Sequence, residues 1–442
     1  MIGLRPGTRE WSTAPGPGVV AVPELVGELS TRESDLVRAS DDFGHQVYRR
    51  PLAVLHPGGA ADIAATVRFG RQCGLAVVPR GGGNSVDGQA QARDGIVVDL
   101  AALAAVHEVG PNRVTVDAGA RWSAVVEATL PYGLAPPVLP DYLELTVGGT
   151  ISVGGISGAS HRHGCVADTV LDLEVVTPDG ELVTCSPSLR ADLFDAVRGG
   201  QGRHGIITRA TVALAPAHRT ARRYQLAYDD LRAYLADQVL LIEQRRFDHV
   251  GGQARFVPGT GWRFLLEAVT TYTSDEPDDR ALLAGLAHDC EAEEIHTSGY
   301  ADFLYRAAPA EARLRALGSW QRDPHPRCTF LLPGRHAATF VAAVLAGLTA
   351  DDLGPGGGTL LYPVPTERLR APRMPRADDP VSVVFALLRT APADEPDTLH
   401  RMRQANLVLH DAVNRLGGAG YGHPAADHHD RERPMSAGQL VP

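Results

Sequence analysis

The 442-residue chain contains no lysine, so its 42 basic residues are all arginine. Without a lysine amine, the chain cannot anchor pyridoxal phosphate or form a Schiff base with a carbonyl substrate. It also lacks the lysine that a phosphate-binding loop of the GxxxxGK[ST] type requires. The absence of lysine therefore excludes pyridoxal phosphate enzymes, Schiff-base enzymes and P-loop nucleotide hydrolases.

Cysteine is scarce and long apolar runs are missing. The five cysteines are scattered and form no CxxC pair, which argues against a zinc knuckle or a disulfide framework. No run of about 18 apolar residues occurs, and the amino terminus shows no signal-peptide pattern. We therefore expect a cytoplasmic protein with no membrane partner.

Acidic residues outnumber basic ones, 52 against 42, for a formal net charge of −10. No basic stripe or block is visible, so we expect a small-molecule partner and no nucleic acid. The length and a hydrophobic content of 44% predict a globular protein with two domains, while three remain possible.

Short apolar runs between turn residues give residues 51–216 an α+β pattern. A helix is predicted over residues 61–72, ending at Gly74, with a strand over residues 75–78 after it. A hairpin is predicted from residues 170–176 to residues 181–184. From about Arg219, longer helices alternate with strands, which indicates a second domain.

Three glycine-rich segments are candidate ligand sites. Residues 80–85 (RGGGNS) follow a predicted strand, and their N–H groups could point at one anion, although a plain turn also fits. Residues 146–158 mix five glycines with four hydroxyl residues, which favours close approach to a flat ligand over simple helix packing. Residues 200–205 match GxGxxG, but the helix is predicted before them and the strand after. That reversed order excludes a Rossmann NAD site.

Taken in order, these segments resemble the vanillyl-alcohol oxidase and p-cresol methylhydroxylase (PCMH) superfamily, and within it most closely the cytokinin dehydrogenases. In the first half the resemblance rests on residues 51–57 (PLAVLHP), 84–90 (NSVDGQA), 141–150 (DYLELTVGGT), 155–158 (GISG), 181–187 (ELVTCSP), 192–197 (DLFDAV) and 205–209 (GIITR). In the second half it rests on residues 247–250 (FDHV), 300–304 (YADFL), 324–326 (PHP), 361–363 (LYP) and 436–439 (SAGQ).

The resemblance implies an α+β, two-domain PCMH-type FAD-binding fold with an antiparallel-sheet substrate domain, or cap. We expect an FAD-binding domain over residues 1–218, the cap over 219–405, and a C-terminal segment, 406–442, that returns to the FAD domain. The implied activity is hydride transfer from a C–N or C–OH carbon to flavin N5. The electrons would pass to oxygen or to an acceptor that the sequence does not identify.

The same resemblance assigns residue roles. Asp141 would be the catalytic aspartate, which accepts a proton or hydrogen bond from the substrate. Leu369 replaces a tryptophan of the cytokinin pocket and would contact substrate. The residues assigned to FAD are Arg80, Gly81, Gly82, Gly83, Asn84, Ser85, Gln89, Ala90, Thr146, Gly148, Gly149, Ser152, Gly155, Ile156, Ile206, Tyr421, Ser436 and Gln439.

Asn84 is a departure from the cytokinin dehydrogenases, which carry a histidine bonded covalently to the flavin at this position. Asparagine cannot form that bond, and residues 146–158 contain no cysteine for a second link, so we expect noncovalent FAD. Together with a composition typical of a GC-rich genome, the altered pocket favours a bacterial tailoring enzyme of secondary metabolism. A non-redox cyclase that contains FAD, and a flavin-free binding protein, remain as alternatives.

Two histidine clusters could suggest a metal. His161 and His163 flank Arg162 without carboxylates at ligand spacing, so hydrogen-bonding roles are favoured. The stronger spacing lies in His423, Asp427, His428, His429 and Asp430, where a polar tail is still favoured over a metal site. No metal cofactor is expected.

Overall fold

The computed structural model describes residues 3–422. Its helices are α1 (Glu33–Ala39), α2 (Ala60–Cys73), α3 (Trp122–Thr129), α4 (Val147–Val153), α5 (Ser160–His163), α6 (Ala191–Val197), α7 (Leu231–Gln244), α8 (Asp279–Leu283), α9 (Tyr300–Leu304), α10 (Ala308–Ala316), α11 (Ser319–Arg322), α12 (Gly334–Ala346) and α13 (Pro396–Arg415). None of these helices combines the length and apolar character needed to cross a bilayer.

The strands of the first half are β1 (Gly3–Arg5), β2 (Glu10–Ser12), β3 (Val20–Ala21), β4 (Glu28–Ser30), β5 (Ala53–His56), β6 (Val77–Arg80), β7 (Ile96–Asp99), β8 (Val106–Val109), β9 (Arg113–Asp117), β10 (Leu134–Ala135), β11 (Val170–Val176), β12 (Leu182–Cys185), β13 (Ile206–Ala213) and β14 (Ala215–Pro216). Those of the second half are β15 (Thr220–Tyr228), β16 (His249–Val257), β17 (Gly261–Tyr272), β18 (Asp289–Gly299), β19 (Cys328–Pro333), β20 (Gly358–Pro365), β21 (Val381–Leu388) and β22 (Ala419–Gly420).

The glycine segment at residues 80–85 begins where a parallel strand ends. In the sheet β4-β5-β7-β6, strand β7 runs parallel to both β5 and β6. Helix α2 makes the crossover from β5 to β6, as parallel pairing requires. The helix predicted over residues 61–72 is confirmed, and its C-cap Gly74 adopts a left-handed conformation, with φ 64°.

The second sheet of the first half has the order β12-β11-β13-β9-β8 and is antiparallel. It contains the predicted hairpin, in which β11 pairs with β12 through a turn with Gly180 at φ 78°. Helix α6 precedes residues 200–205 and β13 follows them. This order confirms that the GxGxxG match is not a Rossmann fingerprint.

The second half contains two four-stranded antiparallel sheets, β16-β17-β15-β18 and β20-β21-β19-β22. Their edge strands β16 and β20 are linked by the Thr359 hydroxyl, which accepts from the Ala254 N–H (2.7 Å) and donates to the Ala254 carbonyl (2.8 Å). Helices α7, α12 and α13 pack against these sheets. The arrangement matches the antiparallel cap implied by the resemblance.

The C-terminal segment differs from the expectation for residues 406–442. Helix α13 crosses the boundary expected after residue 405, and β22 pairs with β19 of the cap sheet. Val413 is fully buried in the cap core, so apolar burial keeps this stretch with the cap through Gly420.

Two large hydrophobic cores and one small cluster stabilise the described part of the fold. One fills the first half around Trp122 and Ile151 and also includes the cap residues Leu331, Tyr362 and Leu369. The other lies inside the cap, between its sheets and helices. Because the first core takes side chains from both halves, apolar contact holds the two halves together.

Candidate active site

A cavity of about 1970 Å³ lies between the two halves of the fold. This exceeds the roughly 300–1,000 Å³ typical of small-ligand pockets, so it has room for a dinucleotide together with a substrate. The sequence-predicted residues that line it are Gly81, Gly82, Gly83, Asn84, Ser85, Gln89, Ala90, Asp141, Thr146, Gly148, Gly149, Ser152, Gly155, Ile156 and Tyr421.

The glycine loop at residues 81–85 presents unpaired donors to this cavity. The backbone N–H groups of residues 82–85 donate no hydrogen bond to any other described residue, and all four residues lie in the cavity wall. Backbone donors need a partner, and consecutive N–H groups of this kind form an anion-binding concavity. The loop therefore fits the pyrophosphate of FAD.

Asp42 supports this loop from its far side. Its carboxylate accepts from the Ser85 hydroxyl (2.9 Å), the Gly88 N–H (2.7 Å) and the Gly44 N–H (3.0 Å). Burial raises the pKa of Asp42 to about 6, although these three donors oppose the rise. No sequence motif indicated Asp42, which lies about forty positions before the loop.

Arg80 takes a different position from the one expected of a cofactor ligand. Its guanidinium donates to the Asp41 carbonyl (2.6 Å) and lies against Gly83, where φ is 69° and a Cβ would collide with it. Arg80 is not among the residues that line the cavity. Its side chain therefore braces the glycine loop from behind.

Residues 146–158 form a cavity wall that is also a packed helix. In α4 the Thr150 hydroxyl donates to the Thr146 carbonyl (2.9 Å), and the Ser152 hydroxyl donates to the Gly148 carbonyl (2.7 Å). A Cβ on Gly148 would lie 2.7 Å from the Cβ of Ala118. Helix packing therefore explains part of the glycine pattern for which the sequence favoured close approach to a ligand.

The last described residues close one side of the cavity. The Tyr421 hydroxyl accepts from the Gly155 N–H (3.0 Å), and the Gln89 amide donates to the Gly422 carbonyl (3.1 Å). These contacts bring the end of the described chain to the glycine segments, while FAD binding by Tyr421 and Gln89 stays a prediction.

Besides Arg80, two predicted residues that the structure describes do not line the cavity. Ile206 and Leu369 are fully buried in the first core, and neither lines this cavity, whereas Ile207 does. Direct contact of Leu369 with substrate stays a prediction. Ser436 and Gln439 lie outside the described residues.

Asp141 is held in place by a cap arginine. Its Oδ1 accepts from Nη2 of Arg306, whose Nε donates to Glu267 Oε1 (3.2 Å). The guanidinium also lies over the Phe303 ring, 4.3 Å from its centroid. The Asp141 side chain is 41% exposed and that of Arg306 16%, so the carboxylate is fixed while it stays open to the cavity.

His249 completes this cluster as a neutral group. Its Nε2 lies 3.7 Å from Glu267 Oε1 and 3.5 Å from Arg306 Nη2. Burial, followed by the nearby Arg306 charge, lowers its pKa well below the usual value. Sequence reasoning missed these residues, although His249 lies inside the matched stretch 247–250 and Arg306 follows the stretch 300–304 by two positions.

The GxGxxG segment, rejected as a Rossmann site, still contributes to the cavity. Residues 201–205 all line it, and the Gln201 N–H donates to the Ser152 carbonyl (2.7 Å). The order of the elements correctly excluded an NAD site. Because the motif was then set aside, the sequence analysis did not predict that residues 201–205 line the cavity.

In the pair His161 and His163, the His161 ring is buried against the backbone. His161 Nδ1 lies 2.7 Å from the Gly158 carbonyl, and burial lowers the pKa of His161 to about 4. Within residues 3–422, no group of three or more His, Cys, Asp or Glu side chains is placed to hold a metal. The cluster at residues 423–430 lies outside the described residues.

Comparison with known proteins agrees with this geometry. Residues 51–186 match a family described as FAD binding domain, and residues 263–418 match one described as Cytokinin dehydrogenase 1, FAD and cytokinin binding. An uncharacterized oxidoreductase in the fasciation locus of Rhodococcoides fascians is 39% identical, covering 90% of both chains. Cytokinin dehydrogenase 7 of Oryza sativa subsp. japonica is 36% identical, over 85% of this chain and 80% of its own. The chain therefore belongs to the cytokinin dehydrogenase family of FAD-dependent oxidoreductases, within the PCMH-type superfamily.

Proposed function

We propose that this oxidoreductase removes a hydride from a C–N or C–OH carbon of a small organic substrate and holds its FAD noncovalently. The observation that carries the proposal is the placement of Asp141. Its carboxylate, fixed by Arg306, lines the same cavity as the unpaired N–H groups of residues 82–85.

The residues of the cavity fit the cofactor. FAD, when bound, supplies a ring system that accepts a hydride from the substrate. The N–H groups of residues 82–85 would bind its pyrophosphate, and the α4 wall would bury one side of the flat ring. Gln89 and Tyr421 would hold the glycine segments together around it.

Asp141 would act on the substrate through its open oxygen. Oδ1 is engaged by Arg306, while no other described residue donates to Oδ2. An N–H or O–H of the substrate can donate to that oxygen, and the added electron density on its nitrogen or oxygen favours departure of the hydride. Glu267 accepts a hydrogen bond from Arg306 Nε, which fixes the guanidinium that binds Asp141. Arg306 is therefore a positioning residue.

The test is anaerobic mixing of FAD-loaded protein with a panel of amines and alcohols, followed by loss of the oxidised flavin absorbance. Cytokinins belong in the panel because the rice relatives are named for them. With a substrate that reduces the flavin, Asp141→Asn should slow reduction by about 10²–10⁴-fold while the FAD content is unchanged.

Glu144→Gln is the matched control, because Glu144 lies in the same loop, pairs with Arg121 (2.7 Å) and does not line the cavity. This variant should reduce its flavin at the wild-type rate. Wild-type rates in Asp141→Asn, or a panel in which nothing reduces the flavin, would contradict the proposal.

Asn84 favours a second candidate, a cyclisation without net redox change, because loss of the covalent link generally accompanies a less oxidising flavin. Reconstitution with the 5-deaza analogue of FAD separates the two. Full turnover with the analogue favours cyclisation, whereas lost turnover favours hydride transfer once deazaflavin reduction is measured separately.

The cellular setting is also part of the proposal. We place the enzyme in bacterial secondary metabolism, as a cytoplasmic tailoring enzyme, supported by the lysine-free composition and by the bacterial relative from a fasciation locus. Biosynthetic genes next to its own gene are the expected finding, and a neighbourhood of housekeeping genes would count against this setting.

A further inference from the structure

Arg327 is a cation in the cavity wall whose side chain forms no ion pair with a described residue. It precedes β19 and lines the large cavity. Its Nε is buried without a hydrogen bond, and its side chain forms no ion pair with any residue that the structure describes. Arg327 is half-buried and lines the cavity, so its guanidinium can donate to an anion bound there.

The groups around Arg327 do not supply a negative charge. Its guanidinium lies over the Phe43 ring, 4.6 Å from the centroid. Phe43 stacks on His325 (4.1 Å) and contacts Trp320 at a tilt (4.6 Å). Burial, followed by the Arg327 charge, lowers the pKa of His325 to about 3. Burial lowers the pKa of Arg327 itself to about 10, so it stays charged at neutral pH.

An aromatic wall connects Arg327 to the catalytic aspartate. Trp320, which contacts Phe43, also contacts the Tyr142 ring at 5.5 Å, and Tyr142 follows Asp141 in the chain. The aromatic wall of Phe43, Trp320 and Tyr142 therefore runs from Arg327 to Asp141 along one cavity. Arg306 differs from Arg327 because Asp141 and Glu267 already balance its charge.

We propose that Arg327 binds a carboxylate or phosphate group of the substrate whose other end is oxidised beside Asp141. The proposal rests on the proposed function and adds the substrate class, a small organic anion. A guanidinium suits either group because its fork can donate two parallel hydrogen bonds. The N–H groups of residues 82–85 already offer a binding site for the pyrophosphate of FAD, so the pyrophosphate does not require Arg327.

The test measures anion binding without turnover. FAD-loaded protein is titrated with benzoate, phenyl phosphate and neutral benzamide, and the change in flavin absorbance gives each Kd. Benzoate or phenyl phosphate should bind, benzamide should not, and the tighter anion identifies the group as carboxylate or phosphate. Arg327→Gln should weaken the anion by about 10–100-fold, whereas Arg327→Lys keeps part of the affinity.

Arg313→Gln is the matched control, since it removes the same charge from an exposed position on α10. The Kd of this variant for each anion should equal that of the wild type. With a substrate from the panel, Arg327→Gln should raise KM far more than it lowers kcat. Equal anion affinity in wild type and Arg327→Gln would overturn the proposal. So would a loss of FAD affinity alone, which would make Arg327 a cofactor contact.

Failure of the proposed function would look different. Protein that takes up no FAD, or whose flavin no substrate reduces, contradicts the oxidoreductase mechanism. Thermal shift with benzoate and phenyl phosphate still measures anion binding on that protein. An anion-dependent shift that is lost in Arg327→Gln would then support the Arg327 site on its own.

Discussion

At the residue scale, single side chains in the cavity wall decide how the cofactor is held. Asn84 lies in the glycine loop, at the position where the resemblance places a flavin-bonded histidine. A carboxamide has no nucleophilic ring nitrogen, so under the proposed noncovalent attachment the contacts of the loop and of α4 would supply the affinity. Asp42, beneath the same loop, fixes Ser85 and Gly88.

Acid precipitation should release all of the flavin as FAD, because Asn84 cannot bond to the flavin 8α carbon. The measurement is the flavin absorbance of the supernatant, together with flavin fluorescence of the protein after denaturing electrophoresis. Asn84→His should tether added FAD in a correctly aligned cavity, while Asn84→Ala should not. Flavin that stays with the wild-type pellet would show that another residue forms the bond.

Asp42 should make stability depend on pH. Its folded-state pKa of about 6 lies above the ordinary 3.8, so its contribution is complete below pH 3.8 and is lost as pH rises through about 6. Relative to Asp42→Asn, the wild type should therefore lose up to about 3 kcal/mol of unfolding free energy between pH 4 and pH 7. Urea unfolding at several pH values measures this difference.

Asp275→Asn is the control for this titration, because Asp275 is exposed. Its unfolding free energy should run parallel to that of the wild type across the pH range. If the unfolding free energy of the wild type also runs parallel to that of Asp42→Asn across the pH range, the pKa of Asp42 does not differ between the folded and unfolded states.

At the element scale, α4 shows the limit of reading a segment by composition alone. Glycines and hydroxyls in residues 146–158 indicated a surface for a flat ligand, and several of them do line the cavity. The hydroxyls of Thr150 and Ser152 nevertheless bond to carbonyls of their own helix. Only the packing of α4 on Ala118 shows why Gly148 has no side chain.

Gly148→Ala should destabilise the protein by about 1–3 kcal/mol, because the added methyl overlaps Ala118 and forces α4 outward. The same shift moves the cavity wall, so FAD should also bind more weakly. Denaturant unfolding and FAD titration measure the two effects. Gly7→Ala is the control, since a Cβ there meets no atom within 4 Å; an equal loss in both variants would contradict the packing explanation.

At the scale of the whole molecule, the FAD domain and the cap meet through hydrogen bonds as well as through the shared core. The Val250 N–H donates to the Gly158 carbonyl (3.0 Å), and Arg162 Nε donates to the Phe247 carbonyl (2.8 Å). The cavity lies between the same two halves. A ligand bound there would contact both of them.

FAD should therefore stabilise the protein as one unit. Calorimetry should show a single unfolding transition, and FAD at 100 times its Kd should add about 2.7 kcal/mol. Removing the flavin should lower the transition temperature without splitting the transition. Two transitions, only one of them sensitive to FAD, would show that the halves unfold separately; adenosine, which lacks the pyrophosphate and flavin, serves as the ligand control.

The sequence by itself determined the features that depend on neighbouring residues. Helix α2, its Gly74 cap, the hairpin of β11 and β12 and the glycine loop after β6 all follow from local periodicity and turn chemistry. The ordered motifs likewise indicated the family and Asp141.

Only the tertiary structure decided which distant side chains meet. It brings Arg306 and Glu267 to Asp141, turns Arg80 away from the cavity, and leaves Arg327 unpaired beside Phe43. The contacts of Arg306 with Asp141 and of Arg327 with Phe43 depend on the packing of the cap on the FAD domain, which joins residues more than a hundred positions apart. The contacts of Arg80 with Asp41 and of Arg306 with Glu267 lie within one half and join residues 39 positions apart. Local pattern carries no information about such contacts, because the chain's own periodicity does not fix which faces are finally buried together.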